Sequence, residues 1–360
     1  MKENMDILGR DEAVALSLRE LYHAWGYEPY KMSKFEPYDF YARNRSFVTG
    51  DSILTFTDTN GRLMALKPDV TLSIVKNYRG GQRKVYYNES VYRDTGASHE
   101  FQEILQTGLE CIGSVDLYTQ AEVLTLAAES LRRISQEYIL DIASVAVTSA
   151  LAAATGAGEE ETKQLLGFVR EKNAHGVRRV CDACGLPEKA GRIWEALASL
   201  YGPARTLLPE LEALCFDETT LSACRRLGEL CRVLEENGTA ANLDFSIVGA
   251  LRYYNGVVFK GYVPGAPAAI LSGGRYDELV RRLGKDAGAI GFAVYLDLLR
   301  LLPAERTEPY DADVLLVCGG DAPAGEILAR ARELRAQGLT VRVQPGGSDG
   351  EGRFGQIVRI

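Results

Sequence analysis

Residues 86–113, YYNESVYRDTGASHEFQEILQTGLECIG, read as two strands, 84–93 and 104–113, joined by a polar loop. The second strand decides the most. Side chains alternate along a strand, so Ile104, Gln106, Gly108, Glu110 and Ile112 lie on one face and Leu105, Thr107, Leu109 and Cys111 on the other. The second set is the better apolar face and belongs against a core. The first set puts an amide and a carboxylate on either side of a glycine in what should be a central strand. A buried polar group without a partner costs about 1–3 kcal/mol, so these two need something to satisfy them. The glycine leaves room for a ligand to approach the backbone. One reading is a small polar ligand, with Glu110 placed to take an ammonium or imidazole N–H. The other is a half-exposed strand whose polar residues are solvated.

Upstream, residues 10–27 have helical periodicity, with Val14, Leu18, Leu21 and Tyr22 on one face and Gly26 at the end. The runs 53–58 and 63–67 are joined by Thr59-Asn60-Gly61, a hairpin signal. Pro68-Asp69 opens a helix continuing over 70–78. Downstream, a long helix is expected over 116–138, then an almost wholly helical stretch from about 150 to 240 that looks like an insertion. Strands are expected over 243–248, 253–263 and 268–272. Gly273-Gly274 reads as a strand-to-helix turn, and a strand and helix share 289–302. These elements assign a core to 1–302 and a linker to 303–311. The segment 312–360 reads as strand (313–317), helix (324–337) and strand (339–343), with a glycine-rich tail over 346–355 that should be mobile. Strands and helices do not alternate strictly, which predicts an α+β fold. That fold is a mainly antiparallel sheet flanked by helices, with a helical insertion and a short C-terminal α/β segment.

The chain has 360 residues, enough for two domains, and is 46% hydrophobic and 25% charged, an ordinary globular composition. No apolar run approaches the roughly 20 residues of a membrane span, and residues 1–10 lack a signal-peptide stretch. A net charge of −8 argues against an extended nucleic-acid footprint. Arg178-Arg179 and Arg281-Arg282 read as solvated helix faces. Seven cysteines without a framework suit a reducing cytoplasm. Cys181-Asp182-Ala183-Cys184 is a CxxC, but Cys215, Cys224 and Cys231 are wrongly spaced to complete a zinc site, so helical core cysteines are expected. His23, His99 and His175 show no ligand spacing. No metal and no cofactor are expected.

The order of several segments resembles histidyl-tRNA synthetase, a class II aminoacyl-tRNA synthetase. Residues 86–113 resemble its motif 2 region and GYEPYKMSKFE (26–36) its motif 1. TFTDTNGRLMALKPDVT (55–71) is similar to its "LRPE.T" region, and ALRYYNGVVF (250–259) to its histidine-specific element. SGGRYDELVRRLG (272–284) and AIGFAVYLDLLRLL (289–302) resemble the end of the core, motif 3 included. The likeness spans about residues 8–302 in one order. Position by position, it implies a histidine-like pocket of Asp69, Thr71, Arg93, Gln106, Glu110, Tyr253 and Tyr254, with Asp69 standing where the family usually has glutamate. Carboxylates suit an α-ammonium, and tyrosine hydroxyls suit imidazole nitrogens.

The same comparison shows what is missing. Amino-acid activation by ATP builds charge on the α-phosphate, which the family stabilises with arginine forks. Arg93 matches the motif 2 arginine, but Thr95 replaces the acidic residue two places on. Gly249 stands at the catalytic arginine of the histidine-specific element, where Arg252 also replaces an aspartate. Leu298 stands at the motif 3 arginine and Tyr295 at the glycine before it, while Ser33 replaces the motif 1 proline. Losing one such stabiliser typically costs about 10²–10³ in rate. About 48 residues follow the linker, too few for a complete anticodon-binding domain.

A core of this kind without activation chemistry resembles the regulatory-subunit family of ATP phosphoribosyltransferase. That resemblance implies a chain that makes no product and partners the short-form catalytic subunit at the first step of histidine biosynthesis. It also implies histidine as ligand, a homodimer through the class II core, and no tRNA partner. The alternatives are a synthetase, active or degenerate, that still adenylates histidine, and a stand-alone binding module.

Overall fold

Buried on both sides and paired on both edges, the strand over 104–113 organises the molecule. The computed structural model describes residues 8–48, 52–94, 100–249, 254–302, 310–345 and 352–360. It divides into two units, Met1–Leu302 and Pro303–Ile360. The strands of the first unit are β1 (Glu28–Pro29), β2 (Phe35–Pro37), β3 (Thr55–Thr57), β4 (Leu63–Leu66), β5 (Arg83–Asp94), β6 (Phe101–Gly113), β7 (Ile139–Ser144), β8 (Tyr201–Pro203), β9 (Asn242–Asp244), β10 (Val257–Tyr262), β11 (Leu271–Arg275) and β12 (Gly288–Tyr295). Nine of them form one sheet in the order β1-β5-β6-β12-β11-β10-β7-β9-β8, while β2-β4-β3 form a small separate one. In the large sheet only β1–β5 and β7–β9 pair in parallel. The structure therefore has the expected α+β architecture with an antiparallel-rich sheet.

One face of this sheet carries helices. Arg10–Ala24 and Leu117–Ile134 pack on it through Leu18, Tyr22, Leu124 and Leu131, which meet Leu109 and Cys111 from β6 in one apolar cluster. Asp116 caps the second helix by accepting a hydrogen bond from the Thr119 backbone at 2.8 Å. The opposite face carries Gln106, Gly108 and Glu110. In register, Glu110 lies between Val85 and Gly291, Gly108 between Tyr87 and Ala293, and Gln106 between Glu89 and Tyr295.

Several sequence expectations need correction. Ile139–Ser144 is a strand inside the large sheet, a position the periodicity passes over because so short a run, with Asp141 set among apolar residues, fits helix and strand alike. Residues 243–248 split into β9 and a 3₁₀ turn, Phe245–Ile247. Gly273-Gly274 is no strand-to-helix turn: both glycines sit within β11, paired to β10 and β12, and the helix begins only at Asp277. Packing demands them there, since a Cβ on Gly273 would lie 2.4 Å from the Phe259 ring and 2.5 Å from the Gly291 carbonyl oxygen. Gly273→Ala is accordingly expected to destabilise the protein by about 3 kcal/mol, read from urea unfolding. A loss under about 0.5 kcal/mol would show that this strand packs more loosely.

The second unit is a parallel sheet in which β13 (Ala312–Cys318) lies between β14 (Val341–Pro345) and β15 (Phe354–Arg359), with the helix Ala324–Ala336 covering Leu316 and Cys318. The end of the expected mobile tail is thus a strand, held by β13. Residues 346–351 of that tail, and 303–309 of the expected linker, lie outside the described residues. Of the cysteines, Cys181, Cys224 and Cys231 are buried, but Cys184, just past the helix Ala174–Ala183, is exposed and not in the core. His23 and His175 are exposed, and His99 lies outside the described residues.

Candidate functional site

Gln106 and Glu110 are each only 2% exposed, so the solvated-strand reading is excluded and their polar groups need partners. The sheet brings those partners from far along the chain. Thr71 opens the helix Thr71–Asn77 and donates its hydroxyl to one Glu110 oxygen at 2.7 Å. The Tyr276 hydroxyl donates to the other at 2.6 Å from a residue 166 positions away. Gly291 is required directly beside this carboxylate, because a Cβ there would fall 1.7 Å from a Glu110 oxygen.

Asp69 lies immediately before the same helix and accepts from the Leu72 backbone at 2.9 Å. Arg93, near the end of β5, donates its Nε proton to the Pro68 carbonyl at 2.6 Å and holds a guanidinium nitrogen 3.6 Å from Asp69. Tyr295, the last residue of β12, lines the same space. These groups close a cell of about 30 Å³, completed by Tyr87, Tyr254 and Ser272. Tyr295 also lines a wider hollow of about 570 Å³, together with Gln102, Ile104, Asp297 and Leu298.

Electrostatically the cell is short of positive charge. Burial pushes the Glu110 carboxyl up to about 8, although its two hydroxyl donors pull the other way, and nearby Asp69 adds repulsion. Burial also raises Asp69, opposed by Arg93. Two buried carboxylates thus face a single guanidinium in the cell. The Gln106 side-chain nitrogen is buried with no hydrogen-bond partner among the described residues. A ligand that brings an ammonium to Glu110 and an acceptor to Gln106 satisfies both deficits.

Six of the seven site residues expected from sequence, Asp69, Thr71, Arg93, Gln106, Glu110 and Tyr254, line this one cell. Tyr253 lies outside the described residues, as do Thr95 and Arg252. Gly249 is described, in a left-handed turn at φ +85° with open space around it. Sequence reasoning missed Tyr87, Ser272 and Tyr276. For Tyr87 a signal existed, since it stands opposite Gly108 in the hairpin that the sequence already suggested. No local pattern announces the contact of Tyr276.

Against known proteins, the family model described as histidyl-tRNA synthetase matches residues 8–299. The ATP phosphoribosyltransferase regulatory subunit of Moorella thermoacetica is 32% identical, across 95% of this chain and 90% of its own length. That of Bacillus cereus is 29% identical, across 83% of this chain and 74% of its own. Among solved structures, an ATP phosphoribosyltransferase regulatory subunit/histidyl-tRNA synthetase from Bacillus halodurans superposes with a TM-score of 0.78 at 26% identity, across 97% of this chain and 93% of that one. A chain of an ATP phosphoribosyltransferase complex from Thermotoga maritima shares the fold, with a TM-score of 0.62 at 19% identity over 79% of this chain and 97% of that one.

Proposed function

The chain belongs to the histidyl-tRNA synthetase family, in its branch of ATP phosphoribosyltransferase regulatory subunits, and from that premise we propose that it senses free histidine through the Glu110 cell. The observation that carries this reading is the charge deficit around Glu110, a buried carboxylate held by Thr71 and Tyr276 and lacking a cation of its own. The α-ammonium goes to Glu110. The imidazole finds acceptors and donors in Gln106 and Tyr254. Regulation requires that histidine bind two states of the complex with different affinity, and a site built from residues of β5, β6, β12 and the helix Thr71–Asn77 is sensitive to any shift among them.

The chain does not activate histidine in this reading. Gly249, Leu298 and Thr95 replace charged groups of the family, and Arg93, the one retained arginine, is engaged by Pro68 and Asp69. Its partner is the short-form ATP phosphoribosyltransferase catalytic subunit. The class II core pairs as a homodimer, a reading supported by the exposed Phe35, Phe56 and Leu63 of the small sheet. The net charge of −8 supports a reading without a tRNA partner.

Co-expression with a short-form catalytic subunit is expected to give a hetero-oligomer whose activity falls on adding histidine. The purified chain is expected to show histidine-dependent pyrophosphate–ATP exchange at background. Exchange above background would establish the adenylating alternative instead, and two chains that elute separately would remove the regulatory reading.

A further inference from the structure

We infer that Lys67 is a positioning residue for the Glu110 cell: it holds the Glu89 carboxylate away from Gln106 and so keeps the Gln106 amide free to donate to a ligand. The inference rests on the reading of the cell as a histidine site. It adds to that reading a group behind the wall that keeps one of the cell's donors available.

Glu89 stands on the face of β5 that carries Tyr87 and Arg93, and it pairs in register with Gln106 of β6. Directly opposed residues of an antiparallel pair have Cβ atoms about 4.5–5.5 Å apart. A carboxylate so placed is the nearest strong acceptor for the Gln106 amide, and a charge-assisted bond of that kind is about twice as strong as a neutral one. Yet the Gln106 side-chain nitrogen is buried and has no partner among the described residues. Tyr87 and Arg93 line the cell, whereas Glu89, between them on the same face, does not.

Lys67 draws Glu89 off. Its ammonium is ion-paired with the Glu89 carboxylate, and the lysine is only 1% exposed. Lysine is almost never buried to that degree unless it is paired. Its backbone is fixed on both sides: the N–H donates to the Lys34 carbonyl and the carbonyl accepts from the Tyr92 N–H, each at 3.0 Å. A buried ion pair is weak support for stability, because desolvating both charges offsets most of their attraction. This pair is better accounted for by what it prevents. Glu110 and Asp69 already set two carboxylates against the Arg93 guanidinium. A third carboxylate, unpaired and opposite Gln106, would take a donor that the ligand needs. Without the lysine, histidine must break a Gln106–Glu89 bond before its own acceptor can use the amide.

The test is calorimetry of L-histidine with the full chain, in wild type, Lys67→Met, Gln106→Leu, Lys67→Met/Gln106→Leu and Lys67→Met/Glu89→Met, with Glu110→Gln marking the site. Lys67→Met is expected to weaken histidine about tenfold, the size of one hydrogen bond. In the Gln106→Leu background the same substitution is expected to change affinity less than twofold, because the amide through which Lys67 acts is gone. Lys67→Met/Glu89→Met removes the competitor together with its partner and is expected to bind within threefold of wild type. If Lys67→Met binds like wild type, or weakens histidine equally with and without Gln106, the inference is overturned and the site stands. If Lys67→Met does not fold, Lys67→Met/Glu89→Met decides alone, since apolar residues of similar volume replace a buried ion pair with little loss. A tenfold loss in that variant overturns the inference. If wild type does not bind histidine, or Glu110→Gln binds it unchanged, the inference and the site fall together.

Discussion

Glu110→Gln is expected to weaken L-histidine binding by at least about 100-fold, and to make the complex with the catalytic subunit correspondingly insensitive to histidine. The size follows from the site. Glu110 provides the negative charge that faces the ligand's ammonium in a buried cell, and removing one partner of a buried, hydrogen-bonded charge pair costs about 2–5 kcal/mol. About 2.8 kcal/mol is a hundredfold in affinity. The substitution isolates charge from shape. With its pKa near 8, the Glu110 carboxyl is mostly protonated at neutral pH, so a neutral amide of the same size replaces a group that is already neutral there. Thr71 and Tyr276 carry hydroxyls that can turn to donate or accept. The fold is therefore expected to survive, and a thermal melt at pH 7 within a few degrees of wild type checks it. A folded Glu110→Gln protein that keeps histidine affinity within tenfold would move the sensor away from this cell, to another surface of the complex.

The strand that bears Glu110 was legible from alternation alone, because a pocket strand and a core strand differ in which residues share a face. Arg10–Ala24, β3, β4 and Leu117–Ile134 were legible for the same reason: each shows one clear period or one clear turn or cap signal. What escaped the sequence was set by long-range packing. Ile139–Ser144 carries no alternation because both its faces are covered, so nothing local separates it from the helix before it. Gly273-Gly274 imitates a turn, yet those glycines exist to let Phe259, Phe292 and Tyr254 approach the backbone. Phe354–Arg359 is largely exposed, and its pairing with β13 is what makes it a strand. The candidate site divides along the same line. Its residues on β5, β6 and the helix Thr71–Asn77 are found by period and resemblance, whereas the hydroxyl of Tyr276, at the start of the helix Asp277–Arg282, reaches Glu110 on β6 through a contact that no window of sequence contains.

Histidine affinity is expected to rise with pH up to about 8, with close to one proton released per histidine bound at pH 7. The cause is the competition at Glu110. Burial holds a proton on the carboxyl up to about pH 8, and an ammonium placed against it favours the ionised form, so binding expels the proton. With that pKa, roughly one-tenth of the sites are ionised at pH 7 and half at pH 8, giving about a fivefold gain over that unit. The ligand's imidazole titrates near 6.5, so the slope is cleanest above pH 7. Stability must move in the opposite sense. The folded pKa of Glu110 lies above the unfolded one, so between about 4.5 and 8 the folded state holds a proton that the unfolded chain has released. This group's contribution is absent below that window, destabilises progressively as pH rises through it, and levels off above 8. Asp141, raised to about 6 by burial and then by Asp244, adds the same sign between about 4 and 6. Saturating histidine lowers the Glu110 pKa and is expected to flatten the fall in melting temperature between pH 6 and 8, leaving the Asp141 part below pH 6 in place. Calorimetry in buffers of different ionisation enthalpy counts the proton directly. A count near zero at pH 7, with affinity flat from pH 7 to 8, would mean that histidine does not displace a proton from Glu110 and that its ammonium is bound elsewhere.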